Sequence, residues 1–427
     1  MTSEVLLMNL EAVVLGADSA VTISAPDRGR FSQSGIEKIF LINEKGPMAA
    51  MIYGGGSYCG LPWRTILGQF SDYCGPDLLS IDDYFDKLNH YLANIAQHTN
   101  VGIDPSYEVD NFNIYIDDFV HDYLLWLLAA GWTPGQPIPE TTAFKALKHF
   151  EEEVLFEPAG PYAGERPDAG PTPRARAEPS TRLTDLVARN LASATSAALG
   201  RKLQGVAMPE SAIPPLLRLA VESLLVEWLP DSSLYTGLVL AGFGAGQALP
   251  ALYSFRFIPA FGGLLKSRRY APRRPRPNTD PVIFHSYAQD QLIRGFVYGA
   301  LPEYELTLRL VTMDYLTRTF DAIVQNVGET NKKLAQQISD QLADVAREAT
   351  ALGLNTAREQ RSSEVFETLW PALDSANADV LSSHALKLME LTVLEHELLA
   401  EPSVARPIWV LAMERGRFYW LKDGVRA

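Results

Sequence analysis

The chain reads as an α+β protein in which antiparallel sheets are covered by helices. Three observations predict this. Short apolar runs bounded by turn residues cluster at both ends of the chain and in its middle. Long stretches of helical periodicity lie between them. No internal repeat of fixed period runs through the chain.

The elements follow in order. Residues 4–8 and 12–16 read as two strands joined by a tight polar turn at Asn9–Glu11. Lys38–Asn43 and Met48–Tyr53 read as a second pair, turning at Glu44–Pro47. The run Gly54-Gly55-Gly56-Ser57 follows, where glycine lets the backbone take positive φ or approach a ligand. A helix starts near Pro62, since proline suits a first helical turn. Residues 78–157 read mainly as helix, with HDYLLWLLAAGW the most apolar part and too short to span a bilayer. Residues 158–181 are rich in Pro, Ala, Gly and charge and read as a flexible loop.

Helical periodicity returns over 182–229, notably in LLRLAVESLLVEWL. Leu238–Phe243 and Ala251–Phe257 read as strands around the turn-like GAGQALP. GGLLKSRRYAPRRPRPNTDP is irregular and basic. Helices are expected over Gln289–Gly353 and again over Ser363–Glu397, the latter broken at Pro371. Pro407–Met413 and Arg417–Leu421 form a closing strand pair.

At 427 residues the chain holds one large domain or two to three ordinary ones. Its net charge of −14 argues against a general nucleic-acid binder. Two cysteines, Cys59 and Cys74, are too few for a disulfide framework and fit a reducing cytoplasm. No basic segment precedes the first apolar run, so no secretory signal is read. No stretch is long enough to cross a membrane. The seven histidines show no metal-ligand spacing, and no cofactor is expected. The basic segment Lys266–Arg276 reads either as a solvated loop or as a dock for an acidic partner.

The opening stretch TSEVLLMNLEAVVLGADSAVT carries the chemistry. Once Met1 is removed, Thr2 would bear both a hydroxyl nucleophile and an α-amine base. Read singly, Asp18 also suits a turn, Lys38 a solvated strand edge, and Gly54–Gly56 a plain turn.

Together these residues resemble a family. GADSAVT resembles the second-strand signature of proteasome β-type subunits, and EKIFLI that family's lysine-bearing third strand. The Thr2–Asp18 interval matches the family's spacing of its threonine and acid. LVLAGFGAGQALPALYSFRF resembles the mid-chain strand pair, and PIWVLAMERGRFYWL the final hairpin. The bacterial proteasome-like peptidases are the comparison this suggests.

The resemblance implies the four-layer αββα sandwich of N-terminal-nucleophile hydrolases. It implies one domain over residues 1–427, with its core from 1–77, 236–320 and 362–427 and a helical insertion at 78–235. Thr2 would be the nucleophile, and Lys38 would favour its neutral amine and developing alkoxide. Asp18 would pair with Lys38, and Gly54 would offer a backbone N–H to the oxyanion. Ser286, Glu401 and Ser403 fall where the family places its supporting serines and downstream acid.

A peptide or protein substrate and self-assembly are implied likewise. A small-molecule amidase and a catalytically silent assembly module are the alternatives. Two departures stand out. Ala20 replaces a frequent arginine, and Ser403-Val404-Ala405-Arg406 replaces a glycine-rich stretch.

Overall fold

The computed structural model describes residues 3–25, 29–33, 35–75, 79–98, 105–157, 172–174, 176–226, 228–230, 235–258, 265–270, 272–288, 369–398 and 404–427, with scattered residues between 293 and 367. The helices expected over 289–353 therefore fall largely outside the described residues, as does most of the loop expected over 158–181. The chain divides into two compact units. One comprises Met1–Ile36, Pro275–Glu414 and Phe418–Ala427, the other Glu37–Arg274 and Arg415–Arg417.

The first unit is built on β1 (Ser3–Met8) and β2 (Ala12–Ala17), every residue of which is buried. They pair antiparallel, Leu6 opposite Leu15. Asn9 makes the turn between them. Its Oδ1 accepts from the N–H groups of Glu11 and Ala12 at 3.0 and 2.9 Å. Its Nδ2 donates to the carbonyls of Leu373 and Ala376 at 2.9 and 2.7 Å. One buried amide thus closes the hairpin and ties it to a distant segment.

A second hairpin, β3 (Val21–Ala25) with β4 (Gly29–Gln33), follows and has no counterpart in the expected elements. The chain then leaves this unit through β5 (Ile39–Asn43), β6 (Met48–Gly54), the short β7 (Ser57–Tyr58) and β8 (Leu61–Pro62), and the elements up to Arg274.

Those elements belong to the second unit. Helices α1 (Trp63–Cys74) and α2 (Ile81–His98) cover one face of a sheet. That sheet has the order β13-β12-β11-β6-β5, with β11 (Thr236–Gly242), β12 (Ala251–Phe257) and the edge strand β13 (Ser267–Arg269). All its pairings are antiparallel. Pro62 stands at the N-cap of α1, with an extended backbone that leads into the helix.

Helices α3 (Pro105–Ala129), α4 (Glu140–Leu155), α5 (Thr181–Leu203) and α6 (Ile213–Leu225) form a core of their own around Phe119, Phe150 and Trp228. The rings of Phe119 and Phe150 lie 4.9 Å apart. The Glu153 carboxylate accepts from the indole N–H groups of Trp126 (2.7 Å) and Trp228 (3.2 Å). Arg182 grips Glu108, and Arg201 with Lys202 grips Asp117, clasping α5 to α3. The expected helical block is therefore divided in its packing: α2 joins the sheet core and α3 to α6 pack on one another. The two-residue strands β9 (Phe156–Glu157) and β10 (Thr172–Pro173) pair and so close the ends of the segment between them.

The first unit resumes with β14 (Ile283–Ala288), again not among the expected elements, which pairs with β1. The sheet order is β14-β1-β2-β15-β16-β17, completed by β15 (Trp409–Glu414), β16 (Arg417–Lys422) and β17 (Val425–Arg426). Helix α7 (Ala378–Leu398) packs across β1, β2 and β15. Gly16 permits that approach, since a Cβ there would meet Val5 at 3.0 Å and Met389 at 3.4 Å. The helix break expected at Pro371 lies instead at Asn377. Pro371 sits within a helical turn, and the Asn377 side chain accepts from the N–H of Val380 at 3.0 Å, capping α7. The architecture is mixed helix and antiparallel sheet, as the periodicities predict.

Candidate functional site

Antiparallel order brings the start of β1, the end of β2 and the approach to β15 to one end of the first unit's sheet. Asp18 sits there, 1% exposed. Its Oδ1 accepts from the N–H of Ser3 at 2.9 Å. Its Oδ2 accepts from the N–H groups of Ala20 at 2.8 Å and Ala405 at 3.3 Å. A buried carboxylate costs several kcal/mol to desolvate, and directed N–H dipoles offset that cost. The backbone follows the same route. The N–H of Asp18 donates to the Ser3 carbonyl at 3.2 Å, and that of Ser19 to the Ala405 carbonyl at 3.1 Å. Asp18 thus gathers three chain segments, one of them the residue directly after Thr2.

Thr2, Glu401 and Ser403 lie outside the described residues. Ser286 is on β14 opposite Val5, two positions from Ala288, which pairs with Ser3. By strand alternation Ser286 shares a face with Ser3 and Val5. The segment Val404–Arg406 is held by Asp18 and Ser19 at one end. At the other, Arg406 pairs with Asp423 at 3.1 Å and Glu390 at 3.2 Å.

Lys38 and Gly54 belong to the second unit. Lys38 is 3% exposed and directly precedes β5, and its carbonyl accepts from the N–H of Ile52 at 2.9 Å. Gly54 ends β6, so the two residues mark the same end of the β5–β6 pair. Gly54 has φ +80°, and a Cβ there would strike the Tyr235 carbonyl oxygen. Glycine is required by both counts. The adjoining peptide is strapped in place. Gly55 N–H donates to the Tyr235 carbonyl at 3.1 Å, and the Thr236 hydroxyl donates to the Gly55 carbonyl at 3.0 Å while accepting from the Trp63 indole at 3.3 Å.

Sequence reasoning passed over Glu4. It is fully buried on β1, between Ala17 on one side and Tyr287 on the other. The signal was legible, because an acid directly precedes the apolar run from Val5 to Met8.

Both cysteines are buried, and burial pushes the Cys74 thiol up to about 11, against a nucleophilic role. Among the described residues no group of three or more His, Cys, Asp or Glu side chains is placed to hold a metal ion. No described helix is long and apolar enough to cross a membrane.

No family model matches the chain, and no curated protein matches it. Among solved structures, a mutant of Anbu from Hyphomicrobium sp. strain MC1 is similar at 9% identity and a TM-score of 0.29, over 99% of this chain and 87% of that one.

Proposed function

We propose that this chain is an N-terminal threonine hydrolase, proteasome-like in mechanism, that cleaves peptide bonds through an acyl-enzyme on Thr2. The observation that carries this reading is Asp18. A buried carboxylate spends its oxygens on the N–H of Ser3 and on the two segments flanking it. That is an expensive way to end a sheet, and it anchors the chain one residue after the candidate nucleophile. Lys38, which is buried, and Gly54, which has positive φ, would be the other two parts of this chemistry.

In this reading the Thr2 hydroxyl oxygen attacks the scissile carbonyl carbon as its proton passes to the Thr2 α-amine. A free α-amine has a pKa of about 7.7–8, suited to that task. Lys38 would have to reach Thr2 to stabilise the alkoxide, with Asp18 as its partner. The Gly54 N–H would hold the oxyanion, a donor whose loss costs roughly 100- to 1000-fold in rate. Collapse breaks the C–N bond and returns the proton to the leaving amine, and water then hydrolyses the ester. Ser286, Glu401 and Ser403 would support the nucleophile. The αββα sandwich belongs to the same proposal. Alternate residues of β1 and β6 pack under helices, and those between them, such as Leu6 and Met51, are buried as well.

A silent structural module is the second reading, favoured by a specific observation. Main-chain donors occupy both Asp18 carboxylate oxygens, as in a purely structural staple. Intact mass before and after incubation with a peptide epoxyketone separates the two. Loss of Met1 and a single adduct, absent in Thr2→Ala, is the expected result. Retained Met1 would sink the hydrolase reading. Loss of Met1 without an adduct would move the substrate from peptides to small amides.

A further inference from the structure

The glycine turn that follows β6 is held from two sides. On one side the Gly55 N–H donates to the Tyr235 carbonyl at 3.1 Å, and the Gly55 carbonyl accepts from the Thr236 hydroxyl at 3.0 Å. On the other the Gly56 carbonyl accepts from the main-chain N–H of Trp63 at 3.3 Å. The Trp63 indole N–H also donates to the Thr236 oxygen at 3.3 Å. An indole N–H only donates, so the Thr236 proton is left for the Gly55 carbonyl. The chain from Trp63 through Thr236 to Gly55 therefore runs in one direction.

Strand register shows which N–H is left over. Hydrogen-bonded and unbonded pairs alternate along an antiparallel ladder. Gly55 with Tyr235 is a bonded pair, so Tyr53 with Gly237 is the next, and Gly54 with Thr236 lies unbonded between them. The Tyr53 carbonyl thus faces β11, and the planar peptide turns the Gly54 N–H toward the opposite edge of β6. On that edge the Ile52 N–H takes the Lys38 carbonyl at 2.9 Å, and β5 begins only at Ile39. Gly54 is the next donor along the edge, one pair beyond Lys38. Gly54 is exposed, and among the described residues no acceptor meets its N–H.

Residue choice on the far side of the turn follows the same plan. Thr236 is 5% exposed and Trp63 1%. Gly55 has no positive φ that would call for glycine, yet a Cβ there would stand 2.6 Å from the Thr236 oxygen. The missing Cβ is what lets the hydroxyl reach the carbonyl.

We infer that Thr236 is a positioning residue for the oxyanion donor: backed by Trp63, its hydroxyl fixes the peptides after Gly54, so that the Gly54 N–H is aimed before substrate arrives. This rests on the hydrolase reading above and adds to it residues on the β11 side of the turn. A donor held in advance costs no reorganisation at the moment of reaction, and a loosened one forfeits part of that gain.

Thr236→Val keeps the shape and removes the hydroxyl. It should lower kcat for a peptide substrate about tenfold and leave KM within about twofold, because the oxyanion exists only in the transition state. Thr236→Ser should bring kcat back to within about threefold of wild type. Gly55→Ala leaves Thr236 in place but pushes its hydroxyl aside, and it should act like Thr236→Val. Nitrogen-15 relaxation of the glycine-labelled full chain needs no turnover. The Gly54, Gly55 and Gly56 amides should show order parameters near about 0.85 in wild type and below about 0.6 in Thr236→Val. An unmoved kcat in Thr236→Val, or an equal loss in Thr236→Ser, would overturn the inference and leave the hydrolase reading standing. A wild type with neither turnover nor epoxyketone adduct would sink the hydrolase reading instead. The amides then decide on Thr236 alone: unchanged order in Thr236→Val overturns its hold on the turn, and loosened amides support it.

Discussion

The end of the six-stranded sheet at Ser3 and the end of the five-stranded sheet at Gly54 are held by opposite means. At the first, a charged side chain collects backbone donors from three segments. At the second, the lack of a side chain lets two backbones approach, and a threonine hydroxyl locks them. A device made of hydrogen bonds can be weakened in steps. A device made of empty space fails at once, because any Cβ fills it.

Gly54→Ala should therefore have the largest effect, about 3–5 kcal/mol of lost stability in urea denaturation, from positive φ and a steric clash together. Gly54→Asn sharpens the point, since asparagine tolerates positive φ but keeps the Cβ. It should be nearly as damaging, and a mild Gly54→Asn would show that φ alone matters and break the comparison.

Asp18→Ala should cost about 3 kcal/mol by leaving buried N–H groups without an acceptor. Asp18→Asn keeps one acceptor oxygen and should cost about 1–2 kcal/mol. Equal losses in the two would mean that Asp18 does not act by graded hydrogen bonding.

The four-helix core offers a milder case of the first device. Glu153→Gln replaces an oxygen facing an indole N–H with an NH₂ group and should cost about 1–2 kcal/mol. Indole fluorescence of Trp126 and Trp228 should shift with it.

The smallest effect concerns Asp117. Burial would raise its pKa, but hydrogen bonds and charge from Arg201 and Lys202 outweigh this and hold it below the usual carboxylate range. A lowered folded pKa adds stability above the unfolded value near 3.9 and loses it as pH falls through the folded value. Asp117→Asn should flatten acid unfolding of the helical core below about pH 4, measured by circular dichroism. An unchanged acid limb would show that the α3–α5 clasp contributes nothing.

Several features were legible in the residues alone. The runs at 4–8, 12–16, 238–243 and 251–257 are short and bounded by turn residues, and each is a strand, the last with the bounds read from the sequence and the others with ends shifted by a residue or two. Burial on both faces makes such runs continuous, so they announce themselves. Asp18, Lys38 and Gly54 stand out in the sequence by residue type, and the fold buries the first two and leaves no room for a Cβ at the third.

Other features carried no local mark. The β3–β4 hairpin has no apolar run, and β14 mixes His and Ser into its centre, so their strand pairing is not marked by a local pattern. Nothing in its own helical period tells α2 to join the sheet while α3 to α6 pack on one another.

Sequence by itself determined the helices and the strands that carry apolar runs, because periodicity, capping and residue type act over a few positions. Tertiary structure alone decided what Asp18 holds. Its donors stand two, fifteen and 387 residues away, and only a folded sheet brings main-chain N–H groups that distant in sequence to one carboxylate.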